Sequence, residues 1–200
     1  MRIDLHAHSS VSDGTEPPEV VVAGARAARL DVLALTDHDS TAGWPAAEAA
    51  AAAAGITFVP GAELSCRHAG VSLHLLAYWF DPAEPALAAE LARLRADRLG
   101  RTRAIVDRLA ADGWPVTWPA VLARAGGAAS VGRPHVADAL VDAGAVADRD
   151  EAFARLLHSG SPYYVAQRAL DPLRAVELVR DAGGVTVFAH PRAARRGRVV

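Results

Sequence analysis

Short apolar runs separated by helix-length segments set the pattern of the first eighty residues. Residues 2–5 form a brief apolar run, a strand candidate. Residues 17–30 read as a helix, because Pro17 and Pro18 suit a first turn and Val21, Val22, Ala25 and Ala28 share a face. Residues 31–36 are a compact apolar run bounded by polar residues, the pattern of a buried strand. An alanine-rich helix over 42–54 closes on Gly55, and residues 56–59 make a third strand, followed by Pro60 and Gly61. A fourth strand, 71–80, carries His74. This alternation predicts parallel βαβ units, in either a doubly wound sheet or a barrel.

The pattern then changes. Residues 82–171 contain almost nothing strand-like and predict helices over 84–111, 117–125, 133–143 and 149–158. The expected division is therefore a barrel layer made of 1–81 and 172–200, with 82–171 as a helical insertion or cap. A helix over 172–182 stops at Gly183-Gly184, and a fifth strand, 185–189, delivers His190. The tail beyond Pro191 carries Arg192, Arg195, Arg196 and Arg198, and it reads as an exposed loop with no closing element. A parallel sheet ending this way reads as incomplete.

Ligand-type side chains gather at the ends of those runs. Asp4-Leu5-His6-Ala7-His8-Ser9 places two imidazoles one residue apart, on one face of a strand. Asp13, the triplet Asp37-His38-Asp39, Glu63, His74 and His190 follow in or after later strands. In parallel α/β folds functional groups collect on the carboxyl-end face. A mixed His/carboxylate set this large exceeds the three or four ligands of one catalytic zinc and suggests a multinuclear site. Read singly, Asp13 beside Gly14 is a turn residue, Glu63 a loop carboxylate, and His74 either a ligand or a hydrogen-bonded core histidine. Either Asp37 or Asp39 is expected to bond an imidazole, although Asp39 also suits a helix N-cap. His68 and His158 read as exposed; Arg98 and Arg101 read as a solvated pair, with pocket-facing phosphate contacts as the alternative; Trp44, Trp79, Trp114 and Trp118 read as packing residues, with nucleobase stacking by Trp114 or Trp118 left open.

Composition narrows the classes. The 200 residues are 52% hydrophobic, a figure inflated by alanine, and carry a formal charge of −2, which argues against a generic nucleic-acid-coating protein. The single cysteine, Cys66, excludes an intramolecular disulfide framework and makes a reducing cytoplasm the expectation. No signal region and no run of about eighteen apolar residues is present, so no membrane role is expected.

Five motifs, in order, resemble those of the PHP (polymerase and histidinol phosphatase) superfamily: the Asp4–Ser9 stretch, Ser12-Asp13-Gly14, Leu35-Thr36-Asp37-His38-Asp39, Pro60-Gly61-Ala62-Glu63-Leu64-Ser65 and Phe188-Ala189-His190-Pro191. The likeness is greatest to its stand-alone metal-dependent phosphoesterases of the TrpH/YciV type, and Gly132-Arg133-Pro134-His135 also looks like that subgroup. The resemblance implies an α/β fold, a distorted TIM-like (β/α)7 barrel with two or three divalent ions, manganese, zinc or iron. It implies that His6, His8 and Glu63 hold a first ion, that Glu63 bridges to a second held by His74 and His190, and that Asp13 and His38 hold a third. A final Gly-x-Asp-x-His-like motif expected of the family is missing, which implies a chain truncated at its C-terminus and lacking the last barrel strands.

The implied activity is hydrolysis of a phosphate monoester on a small metabolite or nucleotide, such as a nucleoside 3′,5′-bisphosphate, by water that divalent ions activate to hydroxide. Arg133 would grip phosphate and His135 would serve as a second donor. Alternatives are a 5′-to-3′ exonuclease on short RNA, a histidinol phosphatase, and an inactive metal-binding remnant. No obligate protein partner is implied.

Overall fold

The computed structural model describes residues 1–191, so the arginine-rich tail expected to form an exposed loop lies outside the described residues. Strand β1 (Ile3–Ala7), helix α1 (Pro18–Ala27), β2 (Val32–Leu35), α2 (Trp44–Ala54) and β3 (Thr57–His68) make two successive crossovers. β1 pairs in parallel with β2, and β2 with β3. The local causes are those visible in the chain: α1 starts on Pro18 and buries Val22 and Ala25, while α2 ends on left-handed Gly55.

The purely parallel expectation fails at the next strand. β3 does not stop at residue 59; it runs through Glu63 to His68, and β4 (Val71–Tyr78) folds back on it antiparallel. Only Ala69 and Gly70 join them, both at positive φ (47° and 84°). A two-residue link of that handedness makes a hairpin and is far too short for a parallel crossover. Glu63 is consequently a strand residue, not a loop carboxylate. β5 (Val185–Phe188) pairs antiparallel with β4, giving the order β1-β2-β3-β4-β5.

The sheet curls. Tyr78 Oη on β4 donates a 2.7 Å hydrogen bond to the Leu5 carbonyl on β1, two strands that are not neighbours. In a flat sheet they would stand about 14 Å apart, three strand spacings. Curling into a half-barrel brings them within reach of one tyrosine side chain. The described residues contain these five strands, and the curled mixed sheet is compatible with a TIM-like fold.

The helices expected after β4 form: α3 (Pro85–Ala111), α4 (Trp118–Ala125), α5 (Arg133–Asp142), α6 (Arg149–Ala152) and a π-helical turn (Phe153–Leu157), while 158–171 is irregular and bridges Cys66 through Leu170 before α7 (Pro172–Asp181) returns to the sheet. The segment expected as one helix over 149–158 therefore splits in two. Helix α3 joins two packing regions. Leu87, Leu91 and Leu94 pack with Leu64, Leu75 and α7, while Ile105, Val106 and Leu109 pack with residues of α4, α5 and α6. Three tryptophans pack partly buried against these cores. Trp79 departs from that expectation: just past β4 it takes φ 54° and is 62% exposed. Val185, Val187 and Phe188 of β5 and Ile3 and Leu5 of β1 are also exposed, so both sheet edges present apolar side chains. Among the described residues no helix is long and apolar enough to cross a membrane.

Candidate active site

The strands deliver seven ligand-type residues to one place. His6 lies in β1 and His8 just after it, Asp13 in the following turn, and His38 beyond β2. Glu63 lies in β3, His74 in β4, and His190 follows β5. Glu63, 2% exposed, is the centre. Its Oε2 lies 3.0 Å from His6 Nε2 and 2.9 Å from His8 Nε2; its Oε1 lies 2.7 Å from His74 Nδ1 and 2.9 Å from His190 Nε2. Asp13 makes the second carboxylate corner, 3.3 Å from both His8 Nδ1 and His38 Nε2. The turn that carries Asp13 is drawn tight against the strand end: a Cβ on Gly14 would sit 2.6 Å from the His8 carbonyl oxygen, so only glycine fits.

Electrostatics explain why so many imidazoles crowd two carboxylates. Burial alone would raise the Glu63 pKa, but the charge of His38 and hydrogen bonds from His190, His6 and His74 hold it well below the usual carboxylate range. Asp13 behaves alike: burial is overcome by His38, then His8 and Arg98. Burial also resists protonation of His8, yet its hydrogen bonds to Asp13 and Glu63 push its pKa up to about 10. His74 is held down by burial. The pocket therefore demands positive charge next to its carboxylates, and divalent cations meet that demand.

The donor set fits such ions. The Nε2 atoms of His6 and His8 stand 3.1 Å apart and converge on the same carboxylate oxygen. Three groups (His6, His8 and Glu63; His8, Asp13 and His38; His38, Glu63 and His74) each bring donor atoms within 4.8 Å of one another. Among the described residues, His38 Nδ1 is buried with no hydrogen-bond partner, 3.6 Å from Glu63 Oε2. A buried ring nitrogen left without a hydrogen bond among carboxylates is what a metal-ligating imidazole looks like.

Neither aspartate flanking His38 does what the sequence suggested. Asp37 bonds Ser9 and Ser12, and Asp39 bonds Ser65. Helix α2 has Gly43, not Asp39, at its N-cap. Most of the arginines that surround the cluster come from the helices, with Arg67 added from β3. A cavity of about 520 Å³ contains all seven ligand residues together with Arg67, Arg98, Arg101, Arg133 and Arg149. Arg98 is 6% exposed and donates to Asp13 Oδ2 at 3.2 Å, and its buried Nε has no hydrogen-bond partner among the described residues. It is not half of a solvated pair. Gly132 makes room for it, because a Cβ there would lie 2.9 Å from Arg98 Nε.

Arg101 is likewise built in. It donates to the Val165 carbonyl at 2.7 Å and to Gln167 Oε1 at 3.2 Å, and its guanidinium lies 5.4 Å from the centre of the Tyr164 ring. Burial, and next the charge of Arg133, push its pKa down to about 9. Arginine does not surrender its proton at neutral pH, so the shift marks first a cation taken out of water and second its neighbour Arg133, a setting that a bound anion would relieve. Arg133 opens α5 in the cavity wall, donates to the Leu157 carbonyl at 2.7 Å and stacks on Phe153 at 5.3 Å. The π-helical turn supplies both contacts, and such turns often occur at functional sites. His135, by contrast, does not line the cavity: its Nδ1 accepts the Gly132 N–H at 3.1 Å, which fixes the start of α5. His68 and His158 are exposed, as expected.

Sequence reasoning missed Arg67, Arg149, Tyr164 and Gln167 altogether. No motif joins them. The one available signal was the arginine excess of the helical stretch near aromatic residues.

Comparison with known proteins agrees with this geometry. The PHP domain model matches residues 4–112. A 3′,5′-nucleoside bisphosphate phosphatase of Chromobacterium violaceum is 40% identical over 99% of this chain and 70% of its own length. A 5′-3′ exoribonuclease of Haemophilus influenzae is 37% identical over 95% of this chain and 69% of its own. Among solved structures, a protein of Bifidobacterium adolescentis described as a metal-dependent phosphoesterase superposes with a TM-score of 0.93 at 39% identity, covering 98% of this chain and 70% of that one. The chain belongs to the PHP domain family of metal-dependent phosphoesterases.

Proposed function

We propose that this chain removes a phosphate monoester from a small substrate bearing a second anionic group, with a nucleoside 3′,5′-bisphosphate as the best-supported substrate. The observation that carries the reading is the shared cavity, in which a Glu63-centred imidazole and carboxylate cluster and five arginines face the same space. The phosphatase name of the 40% identical relative supports the same choice.

His6, His8, Glu63, His74 and His190, with Asp13 and His38, would hold two or three divalent ions, and manganese, zinc or iron suits this mixed donor set. When bound, such ions lower the pKa of water toward neutrality and neutralise phosphate oxygens. The chain's own residues do the rest. Arg133 offers a planar fork to an anionic group, pre-oriented by Leu157 and Phe153. Arg101, fixed by Val165 and Gln167, places a second cation along the cavity. Arg98 orients Asp13 through a charge-assisted bond. Helices α3 and α5 close over the cluster and limit water, which strengthens every charge interaction inside. We further propose that residues 82–171 form the substrate-selecting layer over the curled PHP sheet, and that the reaction takes place in the cytoplasm, where buried Cys66 stays reduced.

The test is turnover of adenosine 3′,5′-bisphosphate against adenosine 5′-monophosphate by the metal-loaded chain, with a His8→Ala control. Release of phosphate from the bisphosphate at a kcat/KM well above that for the monophosphate, lost on chelation and in the control, is expected. Faster shortening of a 5′-phosphorylated trinucleotide would favour the exonuclease reading instead, and no turnover of any of these by a metal-replete chain would overturn the catalytic one.

A further inference from the structure

The triplet Asp37-His38-Asp39 sends only its middle side chain into the cluster. The flanking carboxylates are 1% and 0% exposed, and among the described residues neither bonds an imidazole. Each is saturated by donors from a different neighbour. Asp37 Oδ1 accepts from the Ser9 N–H at 2.8 Å and from Ser12 Oγ at 2.7 Å, while its Oδ2 accepts from Ser9 Oγ at 2.7 Å. Ser9 and Ser12 bracket the turn that runs from His8 to Asp13, and Ser12 Oγ lies 3.4 Å from His8 Nδ1. Asp39 faces the other way. Its two oxygens accept from the Ser65 N–H and Ser65 Oγ, both at 2.8 Å. Ser65 stands two residues beyond Glu63 in β3 and is paired across the hairpin with His74.

The backbone is shaped to achieve this. Asp39 takes φ 54°, and its N–H donates to the Glu63 carbonyl at 3.0 Å, while the Glu63 N–H donates to the Asp37 carbonyl at 3.2 Å. His38 is thereby bridged to Glu63 by main chain, and the two aspartates reach out on either side to the remaining ligand-bearing segments. Aspartate tolerates the left-handed conformation better than bulkier residues, and that turn is what frees its side chain for β3.

We infer that Asp37 and Asp39 are positioning residues that brace different parts of the metal cluster. Asp37 fixes the His8, Asp13 and His38 corner through Ser9 and Ser12; Asp39 fixes the Glu63 and His74 side through Ser65. The assignment rests on the metal-binding reading of the cluster. It predicts that one site can be loosened without the other, although both aspartates touch the same three-residue segment.

The experiment measures bound manganese per chain by elemental analysis, manganese affinity by titration, and kcat and KM on the bisphosphate. It compares the wild type, Asp37→Ala, Asp37→Asn and Asp39→Ala, with circular dichroism melts as the folding control. Asp37→Ala is expected to weaken one manganese equivalent about 10- to 100-fold, to lower kcat with KM little changed, and to keep a cooperative melt. Asp37→Asn is expected to restore most of the loss. Its carbonyl can still accept from the Ser9 N–H and Ser12, and its amide can donate to Ser9 Oγ. Asp39→Ala is expected to weaken a different equivalent, so that Asp37→Ala and Asp39→Ala together lose more than either alone. Full manganese affinity in Asp37→Ala would overturn the inference while leaving the metal reading standing. So would loss of all ions together with the cooperative melt, unrescued by asparagine. A wild-type chain that binds no ion would overturn both.

Discussion

The two sides of the cavity are built by opposite strategies. The sheet side uses strand ends, where main-chain pairing holds the side chains in register, and five imidazoles converge on the carboxylates of Glu63 and Asp13. The helix side uses long arginines, Arg101 from α3 and Arg133 from α5, each anchored by a carbonyl and an aromatic ring in the cavity wall. One side is set by backbone geometry, the other by side-chain reach. On the proposed function, chemistry that tolerates no displacement would sit on strands, and substrate selectivity on helices.

This contrast can be broken at several points. Glu63→Gln should have the largest effect, because the shared carboxylate touches four imidazoles and its amide cannot serve them all. A loss on the order of 10³-fold in kcat/KM is expected, together with manganese binding, measured by turnover and elemental analysis. Next come Leu64→Ala in the sheet core and Leu109→Ala in the helical core. Both side chains are fully buried, so each should cost about 2–5 kcal/mol by denaturant titration. If the helical layer is a separate cooperative unit, only Leu109→Ala will split the transition in two. Arg133→Ala should cost about 10- to 100-fold in kcat/KM, the loss of a charged hydrogen bond, with metal content unchanged. Loss of metal in that variant would show that the two sides are not independent. The smallest effect concerns Cys66, whose thiol is pushed up to about 12 by burial, with help from Asp39. The folded state then favours the neutral thiol. This contribution is fully present below about pH 9, the unfolded value, and is lost as pH rises toward 12. Thiol reagents at pH 8 should therefore label the unfolded chain and leave the folded one unmodified.

Legibility in the sequence followed the same division. The five strands and most helices could be read from apolar runs, because strand periodicity is a local property, and the seven residues that gather around Glu63 and Asp13 were named from residue type at the strand ends together with the family resemblance. The hairpin was not read, since Pro60-Gly61 looked like a strand end and the two-residue link Ala69-Gly70 was not recognised as a turn. The roles of Asp37 and Asp39 were misread because their partners, Ser9, Ser12 and Ser65, lie 25 to 28 positions away. Arg98 and Arg101 look on a helical wheel like solvent-facing breaks in an apolar stripe. Only the fold shows that the break faces a cavity. His135 resembled a functional residue because it sits in a motif with Arg133, yet its ring nitrogen caps the helix that presents that arginine.

The position of β5 also governs how the site comes into being. Leu75 pairs with Phe188 across more than a hundred residues of intervening chain, most of them helical. The β3–β4 hairpin that carries Glu63 and His74 closes locally and early, whereas β5, bearing His190, must wait for the helical layer to fold. Pairings this distant in sequence are slow to form. A refolding chain should pass through a state in which six of the seven residues proposed as ligands are assembled and His190 is not yet in place. Ions present during refolding would capture the completed site and draw the population out of that state.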